Sequence, residues 1–182
     1  SSCSRSGGEP STASVADIGS GVQVDSLTRG NAVNIDILNA VSGGRELLAW
    51  FGGHVPSFHD AEVLSLAFDR IGPTCIARIH AFEMTSEVNS EGFYVLKGHT
   101  VVTFRMGEVS GMELDDFNHQ NALMRLAITR KPDDGFRLDL DPAYGVSGFV
   151  ECRSLSISME PGIPSGSVYG RRTKFSTRRS KD

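Results

Sequence analysis

Cysteine is scarce in this 182-residue chain: three residues, Cys3, Cys75 and Cys152, an odd number set far apart. That spacing argues against a disulfide scaffold and against a cysteine-rich zinc site, and fits a reducing compartment. Long apolar runs are also missing, so no segment reads as a membrane-spanning helix. No apolar stretch opens the sequence as it stands, so a secretory signal is not expected. Phosphate-cradling glycine loops and the Gly-x-Ser-x-Gly elbow of serine hydrolases do not occur. The histidines at 54, 59, 80, 99 and 119 show no zinc-ligand spacing. No metal or cofactor is therefore expected.

What is present is an uneven charge. The net charge is −4, but residues 170–182 hold six of the 18 basic residues and one of the 22 acidic ones. The remaining chain carries 12 basic and 21 acidic residues, a net of −9. An acidic body disfavours nucleic-acid phosphates and favours a basic partner. Residues 1–30 are rich in Ser and Gly and poor in large apolar groups. Such a stretch buries too little surface to offset its ordering entropy and reads as a flexible leader. Residues 162–182 read as a disordered basic tail, leaving 31–161 as one domain.

Within that domain the periodicity is mostly two. Residues 33–42 suit a short helix or a stray strand. Residues 45–51 read as a helix stopped by Gly52 and Gly53. From Glu62 onward, Leu64, Leu66 and Phe68 alternate with smaller or polar residues, as in a strand with one buried face. Further strands are expected at 74–84, 93–106 (with a bulge at Gly98), 122–130, 136–140 and 149–159, with a short edge piece at 109–114. In 122–130, Met124, Leu126 and Ile128 fall on one side, which suits a strand; a helix is the alternative reading there. Without βαβ alternation a parallel sheet is not expected. The expected class is α+β, mostly β: an antiparallel twisted sheet or sandwich of about six strands with one or two short N-terminal helices.

Two polar segments stand out. In the first, residues 50–63, Trp50, Phe51, Pro56 and Phe58 are expected to pin a loop that presents His59 and Asp60. In the second, residues 115–121, Asp115, Asp116, Asn118 and Asn121 are turn formers and Phe117 is the expected anchor. His59 and Asp60 suit acid–base work if a second group converges on them, with His119 and Glu62 as candidates. Asp60 and His59 equally suit a structural turn. Cys75 and Cys152 fall in strand patterns and read as buried and inert.

Taken together, Trp50-Phe51-Gly52, the run Pro56-Ser57-Phe58-His59-Asp60-Ala61-Glu62-Val63, then Phe117-Asn118, Gln120-Asn121 and Tyr144-Gly145 resemble the bacterial polymorphic-toxin immunity family called immunity protein 50. The resemblance spans about residues 45–159; His54-Val55 departs from the bulkier, Trp-containing approach to Pro56. It implies a cytoplasmic protein without catalytic activity that binds and neutralises a cognate toxin; the acidic body adds the expectation that this toxin is basic. The partner-facing candidates are the exposed members of Asp60, Glu62, Asp115, Asp116, Asp133 and Asp134, with aromatic side chains nearby. The alternative is a small hydrolase or lyase using His59 and Asp60 in a cleft at the end of the sheet.

Overall fold

The computed structural model describes residues 33–170. The expected leader, residues 1–30, and residues 171–182 lie outside that range. Among the described residues the main elements are two short helices, α1 (Ile35–Ala40) and α2 (Gly44–Trp50), and six strands. These are β1 (Glu62–Asp69), β2 (Thr74–Val88), β3 (Tyr94–Asp115), β4 (Ala122–Arg130), β5 (Phe136–Tyr144) and β6 (Ser147–Pro161). Every strand pairing is antiparallel, and the sheet closes into a barrel in the order β1-β2-β3-β6-β5-β4. The mostly-β class read from the sequence is thus the observed one, and the sheet is closed rather than open.

Closure depends on a short seam. β1 and β4 pair only at Glu62 and Ala122, extended by the Val63 N–H donating to the Asn121 carbonyl and the Leu123 N–H to the Ala61 carbonyl. Beyond the seam α1 and α2 cover the barrel. Val33 bridges Ile128 of β4, Ser42 bridges Ser156 of β6, and Leu38 and Leu47 are fully buried in the core. Asn34 caps α1 by accepting from the Asp36 N–H. Gly43 enters α2 at φ +80°, and a Cβ there would overlap the Ile157 carbonyl. The helix therefore lies directly on the β6 backbone, which only glycine permits.

Two strands differ in phase from the sequence reading. In β4 the inward residues are Leu123, Leu126 and Ile128, whereas Met124 is exposed. A register irregularity between Leu123 and Arg125 inserts one residue and flips the alternation there. In β1 the irregularity lies between Val63 and Ser65, so Val63 is buried and Leu64 only half so. Phe68 shares the inward face with its partner Cys75 but stands at the rim, 46% exposed. The expected separate strands at 93–106 and 109–114 are one 22-residue strand, β3. Its first part leaves the barrel with the end of β2: Met84 pairs with Leu96 and Val88 with Tyr94, and this hairpin projects beyond β6, whose pairing starts at Thr100.

The expectation of disorder from residue 162 does not hold for residues 162–170. This segment lies across the outer face of β1 and β2, and Ser167 is buried. Its own residues carry the polar and aromatic contacts that fix it; the basic residues that prompted the expectation begin only at Arg171.

Candidate functional site

The run from Pro56 to Val63 supplies both the seam and one wall of a cleft. Pro56 and Phe58 are buried, and Phe58 packs against Phe104 at 5.9 Å between ring centroids. Phe51 is buried as well, so three of the four expected anchors lie in the core. Trp50 is 41% exposed and is held instead by its indole N–H donating to the Gly98 carbonyl at 2.9 Å. Phe58 and Asp60 adopt left-handed φ values of 52° and 61°. The Asp60 N–H donates to the Leu123 carbonyl at 2.9 Å, and its carbonyl accepts from the Tyr169 hydroxyl at 3.2 Å. The tight turn sends Phe58 inward and leaves His59 and Asp60 outside, where His59 Nδ1 and Asp60 Oδ2 lie 3.1 Å apart.

Glu62 is not one of the exposed carboxylates. Its side chain is 15% exposed, and both oxygens have partners. Oε2 accepts from His80 Nδ1 at 2.8 Å and from the Ser167 hydroxyl at 2.6 Å, while Oε1 accepts from the Val168 N–H at 3.1 Å. Burial pushes the Glu62 carboxyl upward, but the hydrogen bonds from His80, Ser167 and Val168 and the charge of His80 outweigh it and leave it below the usual range. His80 is fully buried although it points outward from β2, because residues 162–170 cover it. Its Nε2 lies 3.1 Å from His99 Nδ1 and the two rings stack. Phe82 and Tyr169 close the cluster edge to face at 4.6 Å. Desolvation, then the neighbouring charge of His80, lowers the His99 pKa, against an upward pull from Glu62.

This cluster was not legible as a site, since His80, His99, Ser167 and Tyr169 share no sequence spacing. The single hint was that outward His80 and Glu62 occupy paired strand positions. The cluster is not a nucleophilic triad either. Ser167 and Glu62 approach the same nitrogen of His80, whereas a relay needs the acid on one ring nitrogen and the nucleophile on the other. Among the described residues no group of three or more His, Cys, Asp or Glu is placed to hold a metal ion.

Beside the cluster opens a cleft of about 510 Å³. Asp60 and Glu62 lie at its base with Val168 and Tyr169; Met84, Phe93, Tyr94 and Leu96 of the projecting hairpin form one wall; His119, Gln120 and Tyr144 form the other. Asn89 shapes the hairpin tip by accepting from the N–H groups of Glu91 and Phe93. The rim is apolar yet solvent-facing: Met84, Tyr94 and Tyr144 are 48%, 58% and 64% exposed. Among the described residues no lysine or arginine lines the cleft. His59 does not line it, so of the expected acid–base set the structure gathers Asp60, Glu62 and His119.

The remaining candidates divide. Asn121 is buried; its Oδ1 accepts from the N–H groups of Asn118 and Val146, and its Nδ2 donates to the Asn118 carbonyl. Asn118 accepts from the Gln120 N–H and donates to the Asp116 carbonyl. Both asparagines hold the loop together, as expected. Phe117 does not anchor it: the ring is 55% exposed, because Asn121 already fixes the loop from below. Asp115 and Asp116 are exposed near the end of β3. Asp133 and Asp134 are exposed in the β4–β5 turn, where Asp133 accepts from the Gly135 N–H and Asp134 lies 3.5 Å from Arg130. β4 runs from the cleft at Ala122 to Arg130 before that turn, roughly 27 Å of strand, so Asp133 and Asp134 share no patch with Asp60. Cys75 and Cys152 are buried and free, and burial pushes both thiols up to about 11.

Set against protein-family models, curated proteins and solved structures, the chain matches none of them. No helix among the described residues is long and apolar enough to cross a membrane.

Proposed function

We propose that this protein neutralises a cognate toxin by binding it directly in the cytoplasm, as its likeness to immunity protein 50 implies, and that the cleft between the β2–β3 hairpin and the Tyr144 wall is the contact surface. The observation that carries this reading is the rim. Met84, Tyr94 and Tyr144 stand close to half exposed or more around a base with two carboxylates and, among the described residues, no lysine or arginine. Side chains of these types are the ones that bury area at protein interfaces, and a contiguous exposed apolar patch marks a docking surface. The acidic body would speed encounter with a basic toxin. The motif's own geometry supports a scaffold role. Phe58, Ala61 and Glu62 serve the core, the seam and the covering segment, which leaves partner choice to the rim.

Co-expression with the products of the genes adjoining this one tests the proposal. Growth rescue and a purified complex are expected, and the pair Tyr94→Ala with Tyr144→Ala should weaken binding by about 10- to 100-fold. Absence of rescue by the unaltered chain overturns it.

One observation favours a second reading, a hydrolase or lyase: Asp60 and His119 line the same cleft. Turnover of esters, phosphoesters or glycosides that disappears in both Asp60→Asn and His119→Ala, with folding retained, would establish it.

A further inference from the structure

Resting on the docking role proposed for the cleft, we infer that it takes an arginine side chain presented by the partner protein, with Asp60 as the carboxylate that receives the guanidinium. Asp60 is held by its backbone at both ends, through Leu123 and Tyr169, so its side chain leaves a rigid base. Oδ2 faces His59, whereas Oδ1 has no hydrogen-bond or ionic partner among the described residues. The side chain is 40% exposed and lines the cleft. Glu62 adds a second negative charge at the base, but its oxygens are already taken by His80, Ser167 and Val168. The base therefore attracts a cation while leaving one carboxylate able to bind it. Among the described residues no lysine or arginine lines the cleft, so none of them competes for Asp60.

The walls select among cations. Tyr94 and Tyr144 offer exposed phenol rings on opposite sides of the cleft. A planar guanidinium stacks on an aromatic face while its edge pairs with a carboxylate; an ammonium is more strongly hydrated and makes no planar fork. The same two surfaces reject a neutral isostere, which forms the stack but not the ion pair.

Nuclear magnetic resonance titration of the full chain with Nα-acetyl-arginine amide tests the assignment, with the lysine and citrulline amides as comparison arms. A single side chain should bind in the millimolar range, with saturable shifts at Asp60, Tyr94 and Tyr144. Lysine should bind more weakly and citrulline should produce no saturable shift. Asp60→Asn, which tolerates the left-handed backbone, should weaken arginine binding about fivefold, the size of a charge contact at a partly exposed site. Tyr144→Ala provides a second variant that leaves the Asp60 turn untouched. Citrulline binding equal to arginine, shifts centred on Asp133 and Asp134, or an Asp60→Asn affinity like the unaltered chain's would overturn the inference. So would cleft signals that move on dilution without any probe, since a second copy would then be the occupant. Toxin rescue is read separately: rescue with no arginine binding removes this inference alone, and arginine binding without rescue removes the toxin reading alone.

Discussion

His80 Nδ1 and Glu62 Oε2 lie 2.8 Å apart on paired positions of β1 and β2, buried beneath a segment from the far end of the described chain. The same carboxylate accepts from Ser167 and Val168, so one acidic side chain ties that segment to the barrel. Glu62→Ala leaves the His80 ring nitrogen, the Ser167 hydroxyl and the Val168 N–H without their acceptor. Stranding the two buried donors, those of His80 and Ser167, should cost about 2–3 kcal/mol. The loss should be local first, because Glu62 receives two of the covering segment's hydrogen bonds, those from Ser167 and Val168. Hydrogen exchange at Val168 should accelerate by more than at Val63 in the barrel seam. Equal acceleration at both would mean that the segment and barrel open together.

Acid should loosen the same contact. His99 is held below its ordinary value of 6.5, so between 6.5 and its folded value the unfolded chain binds a proton that the folded chain does not. Stability therefore falls as pH drops below about 6.5. Glu62 is held below 4.5, and its contribution is present above that value and lost as pH falls through the folded one. Both act in the same direction, in successive windows. The urea midpoint should decline from pH 7.5 to 5.5, and His99→Phe, which keeps a ring beside His80, should flatten that upper part. A midpoint as pH-dependent in the variant as in the unaltered chain would place the titration elsewhere.

The strands were legible because a barrel wall with one inward face writes its alternation into the sequence. Phe136, Leu138 and Leu140 show it without interruption, and all three are buried. Where a strand gains a residue, as at Met124, the alternation alone points to the wrong side chain. The turn roles of Asn118 and Asn121 could be read because asparagine bonds its own neighbourhood. Phe117 was misread because an aromatic residue in a polar loop is apolar whether or not the core has room for it. The cleft was beyond reach for another reason. Tyr94, Tyr144 and Asp60 come from β3, β5 and the turn before β1, and only barrel closure with the projecting hairpin places them around one space. Residues 162–170 were misjudged because their value lies in what they cover, the outward Phe82 and His80 of β2.

The two barrel cysteines should resist thiol reagents. Burial raises both thiols to about 11, so at pH 8 almost none of either is thiolate, and access is closed as well. Labelling with a chromogenic disulfide reagent should leave Cys75 and Cys152 unmodified under native conditions. Both should react once urea has passed the unfolding midpoint. Fast native labelling of either, located by peptide mass, would show that the barrel interior opens far more readily than its packing suggests.

Asn121 should be the most sensitive position in the 115–121 loop. Its Oδ1 serves two backbone donors, Asn118 at 2.8 Å and Val146 at 3.1 Å, and its carbonyl accepts from Val63 across the seam. Gly145 packs against this side chain at φ +78°, where an added Cβ would press on Asn121. Asn121→Ala removes the shared acceptor and leaves a buried cavity, with an expected loss of about 2–4 kcal/mol in urea unfolding. Asn121→Asp keeps both acceptor bonds and loses only the donation to Asn118, but it places a charge where the residue is 5% exposed. Its penalty should therefore shrink as pH is lowered toward the carboxyl's own titration, whereas the alanine penalty should not. Parallel pH profiles for the two variants would mean that seam geometry, rather than the shared acceptor, sets the cost.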